Sequence, residues 1–170
     1  SVQRMVEGLM ESFAGQCRVS AEPVGRNLDL ISDWLGEDAL GLRLGPFSSR
    51  QHPRLEFFFQ QSHLTLFDYC CMLKRHLTIT TDVFSVGVER SAGELTLTFH
   101  PHPDVYVSRH QIEGVVSSLC DAVLDCYGLT PSSIRFTTPD AIAPEDYQCV
   151  LGCCPEFDQS FTQVTFTCAN

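Results

Sequence analysis

No uninterrupted apolar run in this chain approaches the ~20 residues a membrane-crossing helix needs, so nothing reads as a span. Basic residues are scarce: 11 Lys and Arg stand against 21 Asp and Glu, a formal net charge of −10. That balance opposes a broad DNA-contacting face, because binding a polyanion requires cations that neutralise phosphates. It favours a neutral or cationic small ligand, although most such charge simply solvates a surface. A secretory leader is missing too. Ser1 to Phe13 carries Arg4, Glu7 and Glu11 through an amphipathic pattern, not a charged head followed by an apolar stretch. The reading is therefore a cytoplasmic protein. Neither GxxxxGKS/T nor GxGxxG occurs, which removes the phosphate-cradling loops that would support a nucleotide cofactor. GxSxG, HExxH and CGxCW are also absent, so no local signature assembles a nucleophile or a catalytic metal, and no enzyme is expected.

Cysteine, by contrast, is abundant: there are nine. An odd number in a 170-residue chain without a leader reads as reduced thiols, since a domain of this size buries roughly 70% of its unfolded surface and needs no staples. Cys149, Cys153 and Cys154 form the sharpest group, because positions i and i+4 on a helix share a face and thiolates there could bind metal or sense oxidants. Against that, no CxxC or four-ligand spacing occurs, and free cysteine is commonly buried as a small hydrophobe. Cys70, Cys71, Cys120 and Cys126 take the same discount. His100 and His102 alternate with Pro101 and Pro103, which explains the segment as a rigid turn without a metal. A thiol or metal sensor on Cys149, Cys153 and Cys154 is the competing function, and a small Cys/His enzyme a third. No metal site and no cofactor is assigned.

Along the chain, Met5, Val6, Leu9, Met10 and Phe13 recur at helical spacing, as do Leu28, Ile31, Trp34 and Leu35, with Pro23 and Gly25 dividing the two stretches. Asp38 is placed to cap a short helix through Leu44 that Gly45-Pro46 ends. Phe47 to Ser62 reads as helix, although Leu55, Phe57 and Phe59 alternate. Thr65 and Asp68 have the spacing of a capping box, which predicts a helix from Thr65 to His76. Val83–Val88 and Glu94–His100 alternate as strands that pair antiparallel around a loop, Glu89 to Gly93. Gln111 to Tyr127 is the clearest helix, its stripe formed by Ile112, Val115, Val116, Leu119, Val123 and Cys126, with Gly128 as its stop. Ile134–Thr137 is a strand. Pro144-Glu145-Asp146 starts a short helix that Gly152 and Pro155 end, and Val164–Thr167 is a last strand. The expected class is α+β: N-terminal helices, then a mainly antiparallel sheet with covering helices, in the order strand-strand-helix-strand-helix-strand. A single domain over 1–170 suffices.

The closing segment carries a resemblance. Phe136, Pro139, Tyr147, Leu151-Gly152, Cys154-Pro155, Phe157 and Val164-Thr165-Phe166 fall in an order that resembles the end of the N-terminal domain of AraC-family transcription regulators, the domain labelled arabinose-binding. Gly41-Leu42-Arg43-Leu44-Gly45 and Leu64-Thr65-Leu66-Phe67-Asp68-Tyr69 are similar to further steps of that family, and the likeness covers most of residues 9 to 168. Leu151 stands where Phe is usual, and the Cys-Cys-Pro-Glu-Phe step differs in detail.

The resemblance implies a bacterial, effector-sensing and dimer-forming domain that binds a small molecule and passes the signal to helix-turn-helix units, which this chain does not contain. It does not extend to the jelly-roll barrel of the arabinose regulator, because helical periods here are too many and strands too few. Trp34, Tyr69 and Tyr106, aromatic rings with polar handles, are the candidates for touching an effector, though such residues more often form core or rim.

Overall fold

The computed structural model of the chain describes residues 21–51, 64–81 and 83–168. The expected first helix, Met5 to Phe13, lies outside the described residues, as do 52–62 of the expected Phe47 to Ser62 helix. In chain order the elements are α1 (Ala21–Leu35), α2 (Leu40–Gln51), α3 (Leu66–Thr80), β1 (Phe84–Ser91), β2 (Glu94–Pro101), α4 (Arg109–Tyr127), β3 (Ser133–Arg135), α5 (Pro144–Leu151) and β4 (Thr162–Thr167). This is an α+β fold.

All strand pairs are antiparallel, in the order β1-β2-β4-β3. The last strand thus enters between β2 and β3: Leu97 faces Val164, and Val164 in turn faces Ile134. Period-two alternation sends Phe84, Val86, Leu95, Leu97, Phe99, Val164 and Phe166 to one face, where all are buried. Burying each such side chain contributes about 1.5–3 kcal/mol. The opposite face is stitched by polar pairs, with Thr96 Oγ1 3.1 Å from Thr165 Oγ1 and Gln163 Nε2 donating to Thr98 Oγ1 at 3.1 Å. Helix α4 supplies Ile112, Val116, Leu119 and Val123 to the same core. Cys126, expected on that stripe, is exposed.

Local chemistry accounts for the boundaries, including several that differ from expectation. Thr65 accepts from the Asp68 amide while the Asp68 carboxylate accepts from the Thr65 amide, so the capping box forms and α3 runs on to Thr80. Pro23 and Gly25 do not divide helices. Both lie inside α1, Pro23 in the first turn, where a missing N–H leaves no bond unmade. Gly45-Pro46 likewise does not end α2, which continues to Gln51. Gly45 has no side chain to clash with the following proline ring, so the usual conflict before proline is relieved. At the start of α2 it is Glu37, not Asp38, whose carboxylate accepts from a free amide, that of Ala39 at 3.2 Å. The hairpin is tighter than expected. Ser91 pairs with Glu94, and only Ala92 (φ 48) and Gly93 (φ 83) make the turn, both left-handed as a two-residue connection requires.

Candidate functional site

Two of the chain's distinctive motifs meet at α4. Gly41 and Gly45, one turn apart on α2, are buried against it. A Cβ on Gly41 would stand 2.6 Å from the His110 Cα and carbonyl oxygen, and one on Gly45 would overlap Ser117 Oγ and lie 2.5 Å from the Gly114 carbonyl. The Gly-Leu-Arg-Leu-Gly step is thus a close helix-packing surface, matched across the seam by Gly114 and Ser117. The second motif comes from the closing segment. Phe136 and Phe157 stack at 6.0 Å, and Tyr147 leans on Phe157 at 5.1 Å and on Phe136 at 6.3 Å. Glu156 bonds back to the strand, its amide donating to Ile134 O and its carbonyl accepting from the Phe136 amide. This aromatic wedge fixes Tyr147, which is fully buried.

Tyr147 OH donates to Glu113 Oε1 at 3.0 Å. Glu113 is a carboxyl with no solvent exposure on the core side of α4, and Arg109 Nη1 reaches the same oxygen at 3.4 Å. Its other oxygen, Oε2, has no hydrogen-bond partner among the described residues. The nearest candidate, His110 Nδ1, is 3.9 Å away and already accepts the Gly41 amide at 3.3 Å. Burial pushes the Glu113 carboxyl up to about 7, with the Arg109 charge and the bonds from Tyr147 and Arg109 only partly opposing it. Burial and then the Arg109 cation hold His110 below the ordinary imidazole range, which suits a neutral ring accepting at Nδ1. Burial, then the Glu113 charge, raise the Tyr147 phenol, so it remains a donor.

The network extends from this seam to the surface. Ser108, the N-cap of α4, donates through Oγ to Asp29 Oδ1 of α1, and Tyr106 OH donates to Asp29 Oδ2 at 2.6 Å. Arg26 lies 4.8 Å from the Tyr106 ring centroid. Gly25 lets α1 approach so closely, since a Cβ there would be 2.5 Å from Gln111 Oε1 and 3.3 Å from the Ser108 amide. Helix α1 therefore turns small and polar groups inward, burying Gly25 and Ser32, and leaves Leu30 65% and Trp34 75% exposed. With Asn27 and Ile31 these two line an open hollow of about 450 Å³.

Of the three aromatic candidates, Trp34 is on α1 and Tyr106 is bonded to it, whereas Tyr69 is 3% exposed within the core, edge-on to Tyr127 at 5.8 Å. Sequence reasoning missed Arg109, His110, Glu113 and Asp29. Glu113 falls beside the stripe of Ile112, Val116, Leu119 and Val123, on the side of α4 that meets Gly41 of α2, so the apolar period does not mark it.

The cysteine group does not share one helix face, because α5 ends at Leu151 and Gly152 turns left-handed (φ 82) before Cys153 and Cys154. Cys154 Sγ faces Gln148 Oε1 at 3.5 Å, and burial raises the Cys153 thiol, which disfavours the reactive thiolate. The eight described cysteines form no disulfide. Burial pushes Cys70 up to about 12. Among the described residues no three His, Cys, Asp or Glu side chains are grouped to hold a metal. His102 Nδ1 accepts the Asp104 amide at 3.3 Å, closing the proline turn, while His100 packs edge-on to Phe161 at 5.8 Å.

The described residues form an α+β fold with a polar seam buried between α2, α4 and α5, linked through Ser108 and Asp29 to the surface helix α1. The chain belongs to the family described as the N-terminal arabinose-binding domain of AraC transcription regulators, whose model matches residues 11–169. That family is a ligand-binding regulatory domain. No curated protein matches the chain. No helix among the described residues is long and apolar enough to cross a membrane.

Proposed function

We propose that this chain senses a small neutral or cationic effector for a bacterial AraC-like regulator, acting as a homodimer in the cytoplasm and passing the signal to an attached DNA-binding part. The family match over residues 11–169 carries this reading. The acidic net charge of −10 makes direct contact with DNA unfavourable, so DNA is reached only through helix-turn-helix units beyond this chain. We place the effector at α1, against Trp34 and the hollow formed with Asn27, Leu30 and Ile31, with Tyr106 beside it, and leave Tyr69 to the core. Tyr106 and Asp29 join that helix to the cap of α4, so a ligand that repositions α1 changes how α4 is held. The mechanism is population shift, in which the response is set by the effector's difference in affinity for two arrangements.

A thermal-shift screen of the whole chain against neutral and cationic small molecules, L-arabinose among them, tests this. At 100-fold excess over its Kd, an effector adds about 2.7 kcal/mol of apparent stability. Trp34→Ala is expected to weaken its binding at least about tenfold, the loss of roughly 1.4 kcal/mol of contact. A ligand bound equally well by Trp34→Ala and Tyr106→Phe would overturn the location. The regulatory reading itself falls if no ligand stabilises the chain and its gene encodes no basic helix-turn-helix region downstream.

A further inference from the structure

Buried carboxyls are nearly always satisfied at both oxygens, and one that is not must be neutral or must find a donor. Among the described residues Glu113 has two donors on Oε1 and none on Oε2. Oε2 points at the first turn of α2: a Cβ on Gly41 would be 3.0 Å from it. The amide of Gly41 is occupied, but weakly, at 3.3 Å from His110 Nδ1. Oε2 thus stands unpartnered beside the Gly41 backbone whose amide is held by His110, and the pull of that oxygen on the amide depends on the charge at Glu113. A charged acceptor roughly doubles the strength of a hydrogen bond over a neutral one.

We propose that Glu113 is a proton-operated latch on the first turn of α2. With the carboxyl neutral, the Gly41 N–H donates to His110 Nδ1 and the α2–α4 seam is closed as observed. Loss of the proton to solvent leaves an anion whose Oε2 draws the Gly41 N–H away from the imidazole, shifting the start of α2 against α4. The groups facing this pair from each neighbouring element are few. Arg109 of α4 and Tyr147 of α5 bond Oε1, α2 presents the Gly41 backbone, and Asp29 and Asp33 of α1, with Asp38 before α2, act on His110 by charge. The sheet faces the core with apolar side chains and Thr162, none of them titratable, and Asp140, before α5, acts on Tyr147 by charge. Burial places the Glu113 transition near 7, where a cell's pH changes count. The latch does not rest on the placing of an effector at α1, although Asp29 and Asp33 couple that helix to His110 by charge.

Amide and imidazole NMR titration of the whole chain between pH 5.5 and 8.5 reads it directly. The Gly41 amide and the His110 ring are expected to shift together with one midpoint near 7, and Glu113→Gln is expected to abolish the Gly41 shift. Tyr147→Phe removes a bond to the ionised carboxylate and is expected to raise the midpoint by about one pH unit, so the proposal remains testable if Glu113→Gln does not fold. A Gly41 amide that stays flat, a shift that survives Glu113→Gln, or a midpoint unmoved by Tyr147→Phe overturns it.

Discussion

Replacing Gly45 with valine destabilises the chain by about 3 kcal/mol or more in a urea unfolding series, whereas Gly114→Ala stays within about 1 kcal/mol of wild type. Both glycines lie in helices at the α2–α4 seam, so helix propensity alone predicts a gain of up to about 1 kcal/mol for an alanine. Packing decides otherwise for one of them. A Cβ on Gly45 meets the Gly114 carbonyl at 2.5 Å and the Ser118 amide nitrogen at 2.6 Å, both backbone atoms that cannot swing aside. Valine adds two methyl groups to that clash and forces the helices apart. A Cβ on Gly114 meets only the Gly41 carbonyl, at 3.4 Å, an ordinary contact. Equal effects at the two positions would show that the seam is looser than described.

Tyr147→Ala carries the other large effect, about 4 kcal/mol, as expected for deleting a buried aromatic side chain. The ring is the keystone between Phe136, Phe157 and Glu113, and its loss both opens a cavity and removes a donor from a buried carboxyl. Tyr147→Phe separates the two contributions. It keeps the packing and loses the hydroxyl, for about 1–2 kcal/mol. A Phe variant as damaged as the Ala variant would mean that the hydrogen bond, not the wedge, holds this corner.

The fold was largely readable because its signals are local. The capping box at Thr65, the alternation of Leu95, Leu97 and Phe99, and the stop at Gly128 each depend on a few adjacent residues. The differences arise where a tertiary contact or an immediate neighbour changes what a residue does. Gly25 and Gly45 look like breaks until α4 is seen lying against them. Pro46 looks like a terminator until the glycine before it removes the clash. The hairpin turn was overestimated because Ala92 adopts a left-handed conformation that alanine seldom takes.

The candidate site was less legible. Trp34 and Tyr106 could be picked out as aromatic residues, but a helical repeat cannot tell that α1 presents its apolar side to solvent and its polar side to α4. Tyr147 was visible as part of a family-like segment, yet its partner Glu113 lies 34 residues earlier. Glu113 lies beside the Ile112 to Val123 stripe, where only the burial of an acidic side chain marks the place, and burial is a property of the assembled fold.

If a buried, proton-binding carboxyl holds the α2–α4 seam, the pH dependence of stability shows it most directly. Glu113 has its pKa raised from 4.5 to about 7 on folding, so the folded state binds the proton more tightly. Its contribution is fully present below pH 4.5, is lost as pH rises through about 7, and amounts to about 3 kcal/mol across that window. Unfolding free energies of wild type and Glu113→Gln, measured by denaturant at steps from pH 4.5 to 8.5, isolate this group from the other carboxylates. The two proteins should lie within about 1 kcal/mol of each other at pH 4.5 and diverge until Glu113→Gln is the more stable by about 3 kcal/mol at pH 8.5. A difference that stays constant with pH, or wild type gaining on the variant as pH rises, would contradict the account.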